Sequence, residues 1–203
     1  MSVGVHYPYT SQGLVFSQTT TPLGLALPLY TTTTVCTTAI CGLPILNLTQ
    51  GANAVNVELI SLDINYGSLT ADFGSIGLMI GQVASIGTAT GCSAFASTTP
   101  MNGLPFGPGS KVLSNNGVGT CTVTAGTAGG PVAGVAGAGW YRSLFTMNLE
   151  SSTGTAHGTS SSKYTFDGTM IVPPNTIAYF AATKATVALY SATVVWKEIP
   201  IVR

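Results

Sequence analysis

Residues Ala54–Tyr66 read AVNVELISLDINY. Val55, Val57 and Leu59 alternate on one face, and then the phase slips by one residue. From there Ile60, Leu62 and Ile64 carry the apolar pattern. A period of two is the signature of a half-buried strand. A change of phase inside such a run marks a β-bulge or a strand passing from one sheet to another. The next run, Asp72–Gln82 (DFGSIGLMIGQ), places Ile76, Leu78 and Ile80 on a shared face after a short connection. The two runs are predicted to form an antiparallel hairpin.

The same pattern extends outward in both directions. Leu23–Thr32 and Leu43–Leu48 precede the hairpin, with Pro28 placing the first of them at an edge or a bulge. Trp140–Glu150, Lys163–Val172, Thr176–Ala182 and Ala185–Pro200 follow it, with Pro173-Pro174-Asn175 and Ala182-Thr183-Lys184 turning the chain between the last three. No window sustains apolar residues at helical spacing. About eight strands, with Gly, Pro, Asn and Ser between them, predict an all-β, jelly-roll-like antiparallel β-sandwich.

Two segments depart from the strand pattern. Residues 1–22 lack a repeating apolar face and read as an extended N-terminal arm that needs a partner surface. The sandwich domain is then 23–203. Within it, residues 83–139 are rich in Gly, Pro, Ser and Asn, with brief β-runs at Lys111–Leu113 and Thr120–Thr124 and room for a small hairpin around Cys121. Loops of this length in a compact domain usually contact something. The closing run is apolar on both sides. Val187 and Leu189 point one way, while Ala188, Tyr190, Val194 and Trp196 point the other. Such a strand is expected to be buried twice: once in the core, and once under the insertion or a second subunit. Tyr7, Tyr9, Val187, Leu189, Tyr190 and Trp196 are therefore the candidate assembly residues.

Charged residues make up 6% of the 203 residues, and the net charge is zero. An ordinary soluble domain carries about 25%. Surface charge normally keeps a free monomer apart from its copies, so a surface this neutral points to a homo-oligomer or a larger assembly. The six Lys and Arg are scattered, which leaves no footprint for nucleic acid or an anionic membrane. No apolar run approaches the ~18 residues of a span. The opening residues lack a basic region followed by an apolar one, so no signal peptide is expected.

Catalytic signatures are thin. His6 and His157 stand beside no nucleophile or ligand cluster, and no G-x-S-x-G elbow occurs. Asp63 and Asp72 flank the predicted hairpin, but nothing marks them as a pair facing across a cleft. Neither an acidic loop for calcium nor a Walker pattern is present. Cys36 and Cys41 have four residues between them, which is not zinc-knuckle spacing. Cys36, Cys41, Cys92 and Cys121 are left either as free thiols or as Cys36–Cys41 or Cys92–Cys121 bridges formed in an oxidising medium. Asn47-Leu48-Thr49 is a formal glycosylation sequon, without the export signal that would give it meaning. No enzyme activity, cofactor or metal is expected.

Residues 167–201, DGTMIVPPNTIAYFAATKATVALYSATVVWKEIPI, resemble the closing hairpin of small structural proteins of tailed-bacteriophage particles. In those proteins a PPN turn precedes two strands that end in a Trp-acid-Pro motif. Residues 51–81 are similar to their paired central strands. The resemblance covers about half the chain and does not extend to 83–139. It implies a virion location and a jelly roll that decorates or cements a capsid, often as a trimer, with the major capsid protein or other virion proteins as partners. A receptor- or glycan-binding fibre head and a self-assembling fibre or shell subunit are the alternatives that the sequence leaves open.

Overall fold

The computed structural model describes residues 9, 12–20, 25–31, 34–37, 41–66, 73–82, 101–104, 108–114, 121–122, 139–148, 161–183 and 190–201. Strand β4, Val55–Tyr66, is the run whose phase slips. Val55, Val57 and Leu59 are buried on one face, and Leu62 and Ile64 return to that face after the slip. The neighbouring strand skips one residue, pairing Val195 with Ser61 and Trp196 with Leu59, so Ile60 is the extra residue. The slip is therefore a β-bulge, and β4 stays in one sheet.

The other flank of β4 changes partner at the same place. Ser161–Thr165 pairs with Ser61–Asn65, while Ile171–Val172 pairs with Val57 and Glu58. Between them Asp167 and Gly168 turn the chain with φ of 47° and 74°. Two successive positive φ values suit an Asp-Gly pair, because glycine has no Cβ to clash and Asp tolerates the left-handed region. The expected single strand Lys163–Val172 is thus two pieces, broken opposite the bulge. Leu59 donates its amide to Met170 O, and Phe166 donates to Ile60 O, which seats the turn on the bulge.

In chain order the strands are β1 Val15–Thr19, β2 Thr34–Cys36, β3 Ile45–Asn47, β4, β5 Phe73–Gln82, β6 Met101–Asn102, β7 Leu113–Ser114, β8 Cys121–Thr122, β9 Gly139–Asn148, β10 Ser161–Thr165, β11 Ile171–Val172, β12 Thr176–Ala182 and β13 Tyr190–Pro200. One sheet runs β10-β4-β13-β1-β6, with β11 also on β4. The second runs β7-β3-β12-β5-β9, and β2 pairs with β8 alone. Setting aside the short β2, β6, β7 and β8, and counting β10 with β11 as one broken strand, eight strands remain among the described residues. The first pairs with the eighth, the second with the seventh, the third with the sixth and the fourth with the fifth. That is one long antiparallel hairpin. Rolling it up adds the β4–β13 and β5–β12 contacts. The fold is a jelly-roll β-sandwich.

The main core lies between the two sheets and includes Phe16, Val57, Leu59, Leu62, Leu78, Phe180, Tyr190, Val194 and Trp196. A second cluster covers the outer face of the β3-β12-β5 sheet. There Leu46, Met79, Ile177, Tyr179 and Ala181 meet Leu25, Cys36 and Cys41. All seven residues of β12 are buried. Within the single chain, the strand buried on both faces is therefore β12. On β13, Tyr190, Ala192, Val194 and Trp196 face the core, while Ser191, Thr193 and Val195 on the other face are half-buried. Ser191 and Thr193 make that outer face polar enough to border solvent, which the apolar bulk of the run concealed.

The arm needs the largest correction. Val15–Thr19 is a full strand between β13 and β6. Phe16 is 2% exposed, and its ring stacks on Trp196 with centroids 6.2 Å apart. Residues 1–8, with Tyr7, lie outside the described residues, as do Val187 and Leu189. The insertion is likewise stitched to the sandwich: β6 joins β1, β7 joins β3 and β8 joins β2. Cys121 thus lies in a strand paired with β2, and the flanking residues of the expected small hairpin lie outside the described residues.

The expected strand Leu23–Thr32 is a strap. Leu25 exchanges both backbone bonds with Tyr190 of one sheet, and Tyr30 and Pro28 then bond Ala182 of the other. Pro28, with no N–H to place, sits at this crossover. Just beyond, Gly42 accepts from the Phe180 amide, so closely that a Cβ there would lie 2.3 Å from Phe180 O. Backbone cannot yield as a side chain can. Gly42→Ala is expected to destabilise the fold by about 1–3 kcal/mol, the usual cost of overpacking, measured by denaturant unfolding.

Candidate functional site

In a chain almost without charge, the charges that are buried define the site. Three of them lie where β13 ends. Core-side positions alternate along β13, so Glu198 follows Trp196 onto the inner face and Lys197 points outward.

Glu198 is 2% exposed. Its Oε1 lies 2.5 Å from Ser110 Oγ, and both carboxylate oxygens accept from the Lys111 amide at 3.1 and 3.0 Å. Trp196 Nε1 donates to Oε1 at 3.5 Å. A buried carboxylate is tolerated when donors replace its water. Here those donors come chiefly from the insertion, so the carboxylate clamps residues 110–112 to the closing strand. Asn102 adds a second clamp, donating to Gly13 O at 2.9 Å and to Pro108 O at 2.6 Å. Glu198→Gln retains the volume but turns an NH2 toward these donors. It is expected to cost about 1–3 kcal/mol through unsatisfied buried groups and to speed tryptic cleavage after the exposed Lys111. Limited proteolysis beside a thermal melt checks both.

On the outer face, Lys197 Nζ lies 2.7 Å from Glu58 Oε2, and the two side chains are 9% and 11% exposed. The Tyr9 ring covers the ammonium, with its centroid 4.2 Å from Nζ. A cation against an aromatic face gains from the ring quadrupole. Tyr9, expected to anchor to a partner, is here held by its own chain. Lys163 and Asp63 form a more exposed cross-strand pair at 3.4 Å, so Asp63 faces a lysine; Asp72 lies outside the described residues.

Tyr190 and Trp196 occupy the sandwich core, at 1% and 0% exposure. Of the two layers that the sequence allowed for them, they fill the intramolecular one. Asn47 of the sequon is 0% exposed. Its Nδ2 donates to Val55 O and Val172 O, and its Oδ1 accepts from Thr49 N and Thr49 Oγ1. The side chain is a structural rivet and offers nothing to a glycosyl carrier.

Cys36 and Cys41 form a disulfide within the second cluster. Burial there also pushes the Tyr179 hydroxyl well above the ordinary phenol value. His6, His157 and Cys92 lie outside the described residues. Among the described residues no three His, Cys, Asp or Glu converge as metal ligands, and no helix is long and apolar enough to cross a membrane. Sequence reasoning missed Glu58, Lys197, Glu198 and Asn102. The signal for the first three was their rarity in so neutral a chain, a signal that Asp63, Arg142 and Lys163 share although they stay at the surface.

Comparison of the chain with protein-family models, curated proteins and solved structures gave no match in any of the three.

Proposed function

We propose that the chain is a non-enzymatic structural protein of a virion, a homo-oligomeric jelly-roll subunit that binds and stabilises the particle surface as a decoration or minor capsid protein. The observation that carries this reading is where the charge goes. Of the few charged residues, Glu58, Lys197 and Glu198 are buried. Asp63, Lys111, Arg142, Lys163 and Asp167 are the described charges left at the surface. A jelly roll with so neutral an exterior lacks the usual protection against association, and its stable state is one in which other subunits cover it. The bacteriophage resemblance supplies the kind of assembly, with a trimer as the favoured order.

Mass spectrometry and imaging of purified particles test the proposal. The protein is expected at a fixed copy number on the shell, and light scattering at micromolar concentration is expected to show an oligomer. A monomer that is absent from particles overturns the reading. Glycan binding in an array, without attachment to a shell, would replace it with the fibre-head alternative.

A further inference from the structure

We propose that Cys36 is the branch point of two mutually exclusive disulfides. One is the Cys36–Cys41 bond; the other is a cross-strand Cys36–Cys121 bond that locks the insertion to the sandwich. Strand register alone places these cysteines, whatever the role of the chain in a particle. Cys36 pairs antiparallel with Cys41 on one side and with Cys121 of β8 on the other. Three cysteine positions therefore lie in a row across adjacent extended segments, with Cys36 in the middle. Directly opposite positions of an antiparallel pair have Cα atoms about 4.5–5.5 Å apart, and disulfides span about 4.4–6.8 Å. Cys121, directly opposite Cys36 in register, falls in that range, and Cys41 lies closer still, with 4.0 Å between Cα atoms.

The surroundings favour an internal route of exchange. Cys36 and Cys41 are 0% and 1% exposed, packed among Leu25, Leu46, Met79, Ile177 and Tyr179. A dissolved thiol has little access to a bond so enclosed, whereas the backbone of β8 already brings Cys121 to the register position beside Cys36. The step is thiol–disulfide exchange. The Cys121 thiolate attacks the Cys36 sulfur and a Cys36–Cys121 bond forms. The Cys36–Cys41 bond breaks, and Cys41 leaves as a thiolate that takes a proton from water. One disulfide and one thiol stand on each side, so no oxidant or reductant is consumed. The consequence is topological. The first bond closes a loop with only four residues between its cysteines. The second encloses β3, β4, β5 and part of the insertion, and fastens β8 covalently to β2.

Tryptic mapping reads this directly, because Lys111 is the first tryptic site and Arg142 the second. Cys36 and Cys41 fall in peptide 1–111, and Cys121 in peptide 112–142. The full chain carrying Cys92→Ser is held at pH 8.5, near the ordinary thiol pKa, then quenched in acid, alkylated and digested without reductant. The expected result is a fraction in which the two peptides travel as one mass and Cys41 carries the alkyl group. Fully separate peptides with Cys121 alkylated overturn the proposal. A Cys41→Ser chain keeps the test decisive if Cys92→Ser fails to fold. In that chain a second digestion of the joined peptide must assign the bond to Cys36, and free Cys36 and Cys121 overturn the proposal equally.

Discussion

Trp196→Ala is expected to destabilise the protein by about 3–5 kcal/mol, because the lost transfer energy of a buried aromatic adds to the cavity it leaves. At roughly 2–4 °C per kcal/mol for a chain of this size, the melting temperature falls by about 6–20 °C. The loss is expected to be the same at every protein concentration. Trp196 is 0% exposed inside a single chain, with its ring against Phe16 of β1 and its Nε1 directed at Glu198. A residue at a subunit interface would behave differently, since dilution weakens whatever association stabilises. Melts of parent and variant at concentrations tenfold or more apart make the distinction. A loss that deepens on dilution would move Trp196 into an interface between chains. A variant that melts like its parent would remove it from the core altogether.

The sandwich was legible because its signals are local. The phase slip after Leu59 is written in thirteen consecutive residues and needs no partner to be seen, and the bulge at Ile60 is its structural form. Thr176–Ala182 was bounded by a PPN turn and an Ala-Thr-Lys turn, and β12 has those bounds. Asn175 adopts a positive φ of 60°, which suits its place after two prolines in a turn. Which strand is buried twice within the single chain was misread for a physical reason. TIAYFAA is a continuous apolar run, the pattern of a strand covered on both faces. Tyr190–Pro200 contains more large side chains but alternates Ser191 and Thr193 with them.

What escaped the sequence depends on contacts between distant residues. β1 is five residues long, holds Ser17 and Gln18, and takes its meaning only from β13 at the other end of the chain. Nothing within VFSQT separates an arm from a strand. The insertion has the same character, since β6, β7 and β8 are two residues each and pair outside themselves. The candidate site followed from this failure. With residues 1–22 read as an arm and 83–139 as an excursion, Lys197 and Glu198 had no neighbours to hold. With both segments packed on the sandwich, Glu198 bonds the insertion and Lys197 meets Tyr9.

Removing residues 1–20 is expected to abolish cooperative folding. The truncation takes away Phe16, which alone is worth about 3–5 kcal/mol by the usual cost of losing a buried Phe. It also strips the five paired positions along β13 from Val15 to Thr19 and bares the Trp196 ring that Phe16 covers. The Glu198 amide loses its acceptor, Leu14 O, and Lys197 loses the Tyr9 ring. Total stability for a domain is on the order of 5–15 kcal/mol, so the summed loss leaves little to hold the native state. Tyr9→Ala sets the scale for the segment's outer contact, at about 0.5–2 kcal/mol for a cation–π pair. Near-ultraviolet circular dichroism and a thermal scan of the truncated chain report the outcome. A synthetic peptide of residues 9–20 should restore the transition, because an added strand supplies both backbone pairing and the Phe16 side chain. A truncated chain that melts like the parent would show that β13 closes the sheet unaided and that β1 is an appendage.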